Sequence, residues 1–235
     1  MSRTLEGMIR RGVVVSCQLD PNEPLHWPSH CALFAQSAML GGAVGIRAEG
    51  LDNIKEIRAT VRIPIIGCIR GNYDDDLPLV TPDMAAVDNL YRVGVDVIAI
   101  DATSRQRPGT IIDGTRFLGD MRKRYPAHLL LADISSVEEG IKAVEAGADA
   151  LSTVLFGRTP ETMELAASPE DHLELLHKLT SAINQPVFAE GFIWNTADAE
   201  AALNAGAYGV IVGGAITRPR VLTQIFAETV ESVLM

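Results

Sequence analysis

Short apolar runs recur about eight times along the chain, and nearly every run ends in a polar or charged residue. Within the runs apolar residues occupy both faces, a pattern typical of strands in a parallel sheet that helices cover. We therefore predict a set of buried parallel strands. The runs are Val13–Val15, Val44–Ile46, Ile65–Ile69, Val97–Ile100, Leu129–Leu131, Ala150–Leu151, Val187–Ala189 and Val210–Val212.

Amphipathic stretches separate these runs, and each is long enough to form a helix that crosses back over a parallel sheet. The chain has 235 residues, which matches the length of one (β/α)8 TIM barrel, about 250 residues. The sequence therefore predicts an α/β fold with a single TIM-barrel domain over residues 1–235. The predicted helices cover residues 30–40, 52–60, 82–92, 112–124, 136–146, 169–183, 197–205 and 219–233.

A short helix is predicted before the first strand. Leu5, Met8 and Ile9 have helical spacing, Thr4 is suited to cap the helix, and Gly12 ends the turn. We expect this N-terminal helix to close the floor of the barrel.

The polar residues at the strand ends form the candidate site. In a TIM barrel the carboxyl-terminal ends of the strands meet at one mouth, where the active sites of such enzymes lie. Any one of these residues could be an ordinary ion-paired residue of the rim. Together, however, they place more polar groups at one mouth than a packed core requires. The candidates are Ser16, Gln18, Arg47, Arg70, Asp101, Asp133 and Glu190.

Glycines after the last two strands suggest a phosphate site. Gly191 follows the seventh strand, and Gly213 and Gly214 follow the eighth. Phosphate-binding barrels expose backbone N–H groups and the start of a short helix at these positions. Glycine lets the backbone approach an anion closely, although it also relieves crowding at strand ends.

The overall charge restricts the classes of partner. The chain has 20 basic and 30 acidic residues and a formal charge of −10, which argues against binding nucleic acid or anionic membranes. No apolar stretch approaches the roughly 18 residues of a membrane span, and the N-terminus lacks a signal-peptide pattern, so we expect a cytoplasmic protein. Arg47, Arg70 and Arg218 can still hold a small anion, because screening removes distant charges over about 10 Å.

Neither a disulfide framework nor a metal site is predicted. Cys17, Cys31 and Cys68 are odd in number and lack CxxC spacing, and the five histidines lack ligand spacing. The acidic run Asp74–Asp76 is interpreted as a solvated loop, because no further ligand follows it at a suitable distance along the chain.

Segments at the strand ends also carry a family resemblance. They are Val15-Ser16-Cys17-Gln18, Ile46-Arg47-Ala48-Glu49-Gly50, Pro64-Ile65-Ile66-Gly67, Ile100-Asp101-Ala102-Thr103 with Arg105 and Arg107-Pro108, Ala132-Asp133-Ile134-Ser135, Ala189-Glu190-Gly191 and Gly214-Ala215-Ile216-Thr217-Arg218-Pro219. In this order they resemble bacterial N-acetylmannosamine-6-phosphate 2-epimerases over essentially the whole chain. The resemblance implies interconversion of N-acetylmannosamine 6-phosphate and N-acetylglucosamine 6-phosphate in sialic acid or amino-sugar catabolism, without metal or organic cofactor.

The resemblance further implies roles for individual residues. Glu190 matches a catalytic glutamate that moves the proton at C2, and Arg47 and Arg218 match arginines that place the substrate and stabilise charge. The segments of Gln18, Asp133 and Gly191 match those that hold hydroxyl, N-acetyl and phosphate groups. A small sugar phosphate is therefore the expected partner. Barrels of this kind often pair, so a homodimer is the assembly we consider, although the sequence does not decide it.

One position departs from the family pattern. Where the family has a catalytic lysine after Pro-Ile-Ile-Gly and two apolar residues, this chain has Arg70. A lysine can be tuned to lose its proton near neutral pH, whereas arginine stays charged with a pKa above about 12. Arg70 is thus a poor base but a good donor to an enolate oxygen or a phosphate.

Three functions stay open at this point. The protein is the epimerase, with Asp133, Glu49 or the substrate's own hydroxyl moving the second proton; or it is a related sugar-phosphate isomerase or epimerase with another substrate; or it is a sugar-phosphate-binding sensor without turnover.

Overall fold

Eight parallel strands form a closed barrel in a computed structural model of the chain, which describes residues 4–19, 22–71, 78–166 and 168–234. The barrel strands are β1 Val13–Ser16, β2 Gly45–Glu49, β3 Ile65–Cys68, β4 Val97–Asp101, β5 Leu129–Asp133, β6 Ala150–Ser152, β7 Val187–Glu190 and β8 Gly209–Val212. Each strand pairs with the next one along the chain, and β8 pairs with β1 to close the barrel. The predicted (β/α)8 fold is confirmed.

Helices alternate with the strands as the amphipathic stretches predict. Within the described residues they are α1 Leu5–Met8, α2 Pro28–Leu40, α3 Leu51–Thr60, α4 Met84–Val93, α5 Gly114–Arg124, α6 Val137–Glu145, α7 Pro169–Ala182, α8 Thr196–Asn204, α9 Gly214–Thr217 and α10 Pro219–Leu234. The helices α2–α8 and α10 correspond to the eight predicted helices. Each begins and ends within two residues of its predicted bounds.

Local capping explains why several helices begin where they do. The side chains of Asp83, Asp113 and Ser136 each accept a hydrogen bond from a backbone N–H of the first turn. Ser168 and Asn195 form reciprocal capping boxes with the third helical residue. These side chains satisfy backbone donors that a helix leaves unpaired at its start.

Alternation along the strands separates two apolar layers. The barrel interior is filled by side chains such as Val14, Ile66, Phe188 and Ile211, all of them buried. The other face of the sheet packs against the inner faces of the surrounding helices. Polar side chains are therefore left for the strand ends, where the barrel opens.

The N-terminal segment closes the barrel floor, as predicted. Thr4 caps α1 by accepting a hydrogen bond from the backbone N–H of Gly7. Leu5 and Ile9 are fully buried and pack with the interior side chains of the barrel. The hydroxyl of Tyr208, at the start of β8, donates a hydrogen bond to the carbonyl oxygen of Ile9 at 2.9 Å. The floor is thus sealed by apolar packing.

The mouth contains small elements that the apolar pattern does not predict. Residues Arg70–Gly71 and Leu79–Val80 pair as a two-stranded antiparallel ribbon above β3. The four-residue helix α9 follows β8 directly. The acidic run Asp74–Asp76 lies outside the described residues. Among the described helices, none is long and apolar enough to span a membrane.

Candidate active site

Arg47 occupies the centre of the barrel mouth. It lies on β2, is 1% exposed, and its guanidinium contacts two carboxylates. Its Nη1 donates to Asp133 Oδ1 at 2.9 Å and to Glu190 Oε2 at 2.6 Å, and its Nη2 contacts Asp133 Oδ2 at 2.5 Å. Burial alone would lower the pKa of Arg47, but the two carboxylates outweigh it and hold the pKa well above its usual range.

Glu190 reaches the same guanidinium from the end of β7. The hydroxyl of Ser152 donates to Glu190 Oε2 at 2.7 Å, so this oxygen has two donors. The backbone N–H of Glu190 donates to Thr153 Oγ1 at 3.0 Å, and that hydroxyl also contacts Nε2 of His172 at 2.7 Å. Glu190 is 7% exposed and lines the mouth. Its carboxylate is held in place and still open to the cavity.

Asp133 lies beneath Arg47 instead of at the surface of the cavity. It is fully buried, and it is not among the described residues that line the mouth. Burial raises the pKa of the Asp133 carboxyl to about 6, against the opposing effect of Arg47. The carboxylate orients the guanidinium through a two-pronged contact, a geometry that fixes arginine strongly. The structure therefore supports a positioning role for Asp133.

Asp101 is also placed behind the cavity wall. Its carboxylate accepts hydrogen bonds from the backbone N–H and the hydroxyl of Thr103, at 3.0 and 2.6 Å, and it contacts the guanidinium of Arg105. Asp101 is fully buried, whereas Arg105 lines the mouth. Arg105 is thus a cavity residue that the strand-end pattern misses, because it follows β4 in a loop.

Gln18, Ser16 and Arg218 come together on the side of β1. The Ser16 hydroxyl donates to Gln18 Oε1 at 3.2 Å, and Gln18 Nε2 contacts Cys68 Sγ at 2.9 Å. Arg218 Nη2 donates to the Gln18 carbonyl oxygen at 3.2 Å. Burial raises the pKa of the Cys68 thiol to about 12, so it stays protonated. These contacts connect the end of β1 to Arg218, which follows β8 and α9.

Arg70 lies at the mouth after β3, two strands along the barrel from β1. Its backbone N–H donates to Glu49 Oε1 at 3.4 Å, and its Nη2 is 3.7 Å from Glu49 Oε2. Arg70 lines the cavity, and Glu49 is not among the described lining residues. The side chain of Arg70 is 27% exposed, so the guanidinium can meet a ligand.

Gly191 requires glycine for its backbone conformation. Its φ is +102°, a value that residues with a Cβ rarely adopt, and no atom lies within 4 Å of the place that a Cβ would take. Gly213 and Gly214 line the same wall, where Gly213 is the N-cap of α9. The first N–H groups of a helix have no partner within it. Open space lies beside Gly191, whereas the indole of Trp194 packs against Gly214.

These residues enclose a cavity of about 440 Å³ at the mouth, within the range of small-molecule sites. The sequence-predicted residues that line it are Ser16, Gln18, Arg47, Arg70, Glu190, Gly191, Gly213, Gly214 and Arg218. Lining residues without a strand-end signal are Arg105, Arg158, Met163, Phe192 and Trp194. Several of the latter come from the loops after β6 and β7, whose sequence has no regular period. Apolar and cationic groups thus share one cavity.

The sequence matches one protein family over most of its length. A family model described as "Putative N-acetylmannosamine-6-phosphate epimerase" matches residues 31–232. A protein of Caldanaerobacter subterraneus subsp. tengcongensis named "Putative N-acetylmannosamine-6-phosphate 2-epimerase" is 43% identical over 223 residues, which cover 95% of this chain and 92% of the relative. The chain belongs to this family. A protein of the same name in Borreliella burgdorferi is 41% identical over 226 residues and covers 96% of this chain and 97% of its own.

Solved structures agree with the family assignment. The N-acetylmannosamine-6-phosphate 2-epimerase of Clostridium perfringens superposes with a TM-score of 0.87 at 39% identity, over 97% of this chain and 96% of its own. Thiamine phosphate pyrophosphorylase of Pyrococcus furiosus, at 20% identity and a TM-score of 0.61, shares the barrel fold alone. The resemblance in the sequence is confirmed at the level of the family.

Proposed function

We propose that this member of the epimerase family interconverts N-acetylmannosamine 6-phosphate and N-acetylglucosamine 6-phosphate. The observation that carries the proposal is the carboxylate of Glu190, which opens onto the mouth cavity while Arg47 and Ser152 hold one of its oxygens. We also infer that the protein acts in the cytoplasm, from its composition and from the class of substrate.

The reaction changes configuration at one carbon of the sugar. In the open-chain form the C1 aldehyde makes the C2 proton acidic, because the electron pair left by that proton moves onto the C1 oxygen as an enolate. A proton returned to C2 on the opposite face takes the pair back and restores the aldehyde. No oxidant or reductant is needed, so acid–base groups and positive charge suffice.

Glu190 is the proposed group for one of the two proton transfers. Of the candidates for the other, Asp133 is buried beneath Arg47, and Glu49 contacts Arg70 outside the described cavity lining. This arrangement favours the substrate's own hydroxyl as the second group. Arg47 and Arg70 supply positive charge, which stabilises an enolate most where water is excluded.

The phosphate is proposed to bind at the wall formed by Gly191, Gly213 and Gly214. Open space beside Gly191 and the position of Gly213, the N-cap of α9, in the cavity wall support this placement. Arg218 follows α9 directly and adds a permanent positive charge at the same wall. With the phosphate anchored there, the sugar chain would extend towards Glu190 across the cavity.

Deuterium exchange at C2 tests the proposal. Purified protein with N-acetylmannosamine 6-phosphate in deuterated water is expected to place deuterium at C2 and to form the gluco epimer, both measured by NMR. The variant Glu190→Gln should bind the sugar phosphate nearly as well but exchange about 10²- to 10⁴-fold more slowly, the usual contribution of an acid–base group. The variant Glu49→Gln should retain most of the exchange. If Glu190→Gln exchanges at the wild-type rate, Glu190 has no part in proton transfer.

A second candidate function is favoured by Arg70. An arginine in the place of a catalytic lysine suits a protein that binds the sugar phosphate without converting it. Calorimetric binding of N-acetylmannosamine 6-phosphate with no deuterium at C2 would establish this sensor function and contradict the epimerase. Epimerisation of a different sugar phosphate alone would instead support the related isomerase.

A further inference from the structure

His172 is the polar member of the inward face of α7. The buried residues of this helix are His172, Leu175, Leu176 and Leu179, a spacing that places them on one face. A capping box at Ser168 fixes the helix start one turn before His172. Because α7 follows β6, its first turn lies at the mouth end of the barrel. An imidazole that is 2% exposed is thus buried close to the candidate active site.

One link from His172 to the site is the hydroxyl of Thr153, the residue that follows β6. This hydroxyl lies 2.7 Å from His172 Nε2, accepts a hydrogen bond from the backbone N–H of Glu190 at 3.0 Å, and is 3.2 Å from the Glu190 carbonyl oxygen. The neighbouring Ser152 donates to the Glu190 carboxylate at 2.7 Å. Ser152 therefore holds the side chain of Glu190, whereas Thr153 holds its backbone and is itself held by His172.

A second link from His172 to the site is its ring. The ring centroid lies 5.3 Å from that of Phe192 and 6.2 Å from that of Phe156, and the two phenyl centroids are 6.4 Å apart. Aromatic rings attract each other at these separations. Phe192 lines the mouth cavity, whereas His172 and Phe156 are not among the described lining residues. The two inner rings therefore support the cavity wall from behind.

The segment that both links hold has an unusual backbone. Gly191 and Phe192 have positive φ values of +102° and +56°. Glycine adopts such values readily, whereas a bulky residue does so only where the surrounding contacts hold it in place. Backbone of this kind concentrates at active sites and ligand clamps. Here it joins Glu190 directly to Gly191 of the proposed phosphate wall.

We propose that His172 is a positioning residue for the segment Glu190–Phe192, which it holds through the Thr153 hydroxyl and through the ring of Phe192. This role depends on the proposed function, in which Glu190 transfers a proton and the wall at Gly191 binds phosphate. The hydrogen bond serves proton transfer, because a small misplacement of an acid–base group slows the reaction. The ring contact serves binding, because it fixes the wall beside the phosphate.

Two substitutions separate these contacts, because each removes one contact and keeps the other. His172→Phe keeps a ring against Phe192 without the hydrogen bond, so the saturated rate of deuterium exchange at C2 should fall about 5-fold, the usual contribution of one hydrogen bond, at an unchanged KM. His172→Gln can still bond to Thr153 but has no ring. Its KM and its calorimetric Kd for N-acetylmannosamine 6-phosphate should rise about 5-fold, the usual contribution of one aromatic contact, at an unchanged saturated rate.

Thr153→Val tests whether His172 acts through that hydroxyl. The substitution keeps the shape of the side chain but removes the acceptor of the Glu190 N–H, so it should slow saturated exchange at least as much as His172→Phe. The double variant should be no slower than Thr153→Val alone, because the effects of residues in one hydrogen-bond network do not add. If the two effects multiply instead, the link through Thr153 is wrong. His177→Phe, at an exposed position of the same helix, is the matched control and should change neither rate nor Kd.

Urea unfolding of each variant distinguishes positioning from a general effect on stability. A histidine that only stabilises the core would change the free energy of unfolding and leave the saturated rate and the KM at their wild-type values, which would overturn the proposal. A parallel fall of rate and affinity in both His172 variants would also contradict it, because each contact is assigned to one step.

Binding separates this proposal from the proposed function. If the wild-type protein binds N-acetylmannosamine 6-phosphate without exchange at C2, the epimerase function fails, and the Kd of His172→Gln then decides: a 5-fold rise, within the usual range for an aromatic contact of about 2- to 10-fold, supports the positioning role, and an unchanged Kd contradicts it. If a His172 variant is unfolded, Thr153→Val tests the hydrogen bond and Phe156→Leu tests the ring cluster. A wild-type rate in the first and a wild-type Kd in the second would overturn the proposal.

Discussion

At the scale of single residues, the mouth depends on how one buried arginine is oriented. Arg47 contacts both Asp133 and Glu190, so positive charge faces the cavity without rotational freedom. Removing one partner of a buried, hydrogen-bonded charge pair leaves the other uncompensated, which costs about 3–5 kcal/mol. We therefore expect Asp133 to affect the reaction through Arg47, and Asp101 to act on Arg105 in the same way.

Arg70 leads to a prediction at the same scale. We expect Arg70→Lys to speed deuterium exchange at C2 severalfold, because a lysine beside the cavity can shed a proton where arginine cannot. The rate should also rise with pH near neutrality, a dependence that follows from the new base. The measurement is the initial exchange rate across a pH series, with Arg70→Gln as the variant that removes the charge. Loss of exchange in Arg70→Lys would show that the forked guanidinium itself is required.

At the scale of elements, the long strands and helices were predictable and the small mouth elements were not. Runs such as Val97–Ile100 and the amphipathic stretch 169–183 contain enough residues for a period to be read. The Arg70–Gly71 and Leu79–Val80 ribbon has two residues in each strand, and α9 has four residues. No apolar period can be read in the ribbon or in α9, and their positions follow from the strands beneath them.

His172 links a helix to the site and gives a prediction about pH. It lies on α7, is 2% exposed, and contacts the Thr153 hydroxyl that also holds the backbone of Glu190. Burial lowers the pKa of His172 to about 4, below the value near 6.5 that it has in an unfolded chain. The unfolded chain binds more protons between these two values, so stability falls as the pH is lowered from about 6.5 to about 4.

The expected size of this effect is about 2 kcal/mol between pH 7 and pH 5. The variant His172→Gln cannot titrate at this position but can still hydrogen-bond to Thr153. Between pH 7 and pH 5 its free energy of unfolding should fall by about 2 kcal/mol less than that of the wild-type protein. Urea unfolding of both proteins at the two pH values measures the difference. Equal pH dependence in the two proteins would mean that folding does not change the pKa of His172.

At the scale of the whole molecule, the barrel separates stability at its floor from chemistry at its mouth. Leu5 packs into the closed floor, and Glu190 lies at the opposite end of the barrel. Leu5→Ala should lower the free energy of unfolding by about 2–5 kcal/mol, because it removes buried methyl groups and leaves a cavity. The KM for the sugar phosphate should not change.

Urea unfolding at a fixed protein concentration, with steady-state kinetics, tests this separation. Ile111→Ala, at a 90% exposed position, is the control and should change stability by less than about 0.5 kcal/mol. A large change in KM with Leu5→Ala would show that floor and mouth are coupled.

The sequence by itself determined the barrel, because apolar runs alternate with amphipathic stretches. Few other folds bury both the apolar strands and the apolar faces of the helices. It also determined the family and nine of the described residues that line the cavity, since strand ends such as Arg47 and Glu190 must meet at one mouth. Only the tertiary structure decided which polar residues face the cavity: Asp101 and Asp133 lie behind Arg105 and Arg47, because buried carboxylates are stable only when paired. It also showed that no residue of α10 is buried by its own chain, since a sequence shows that a helix has an apolar face but not how much of that face is covered.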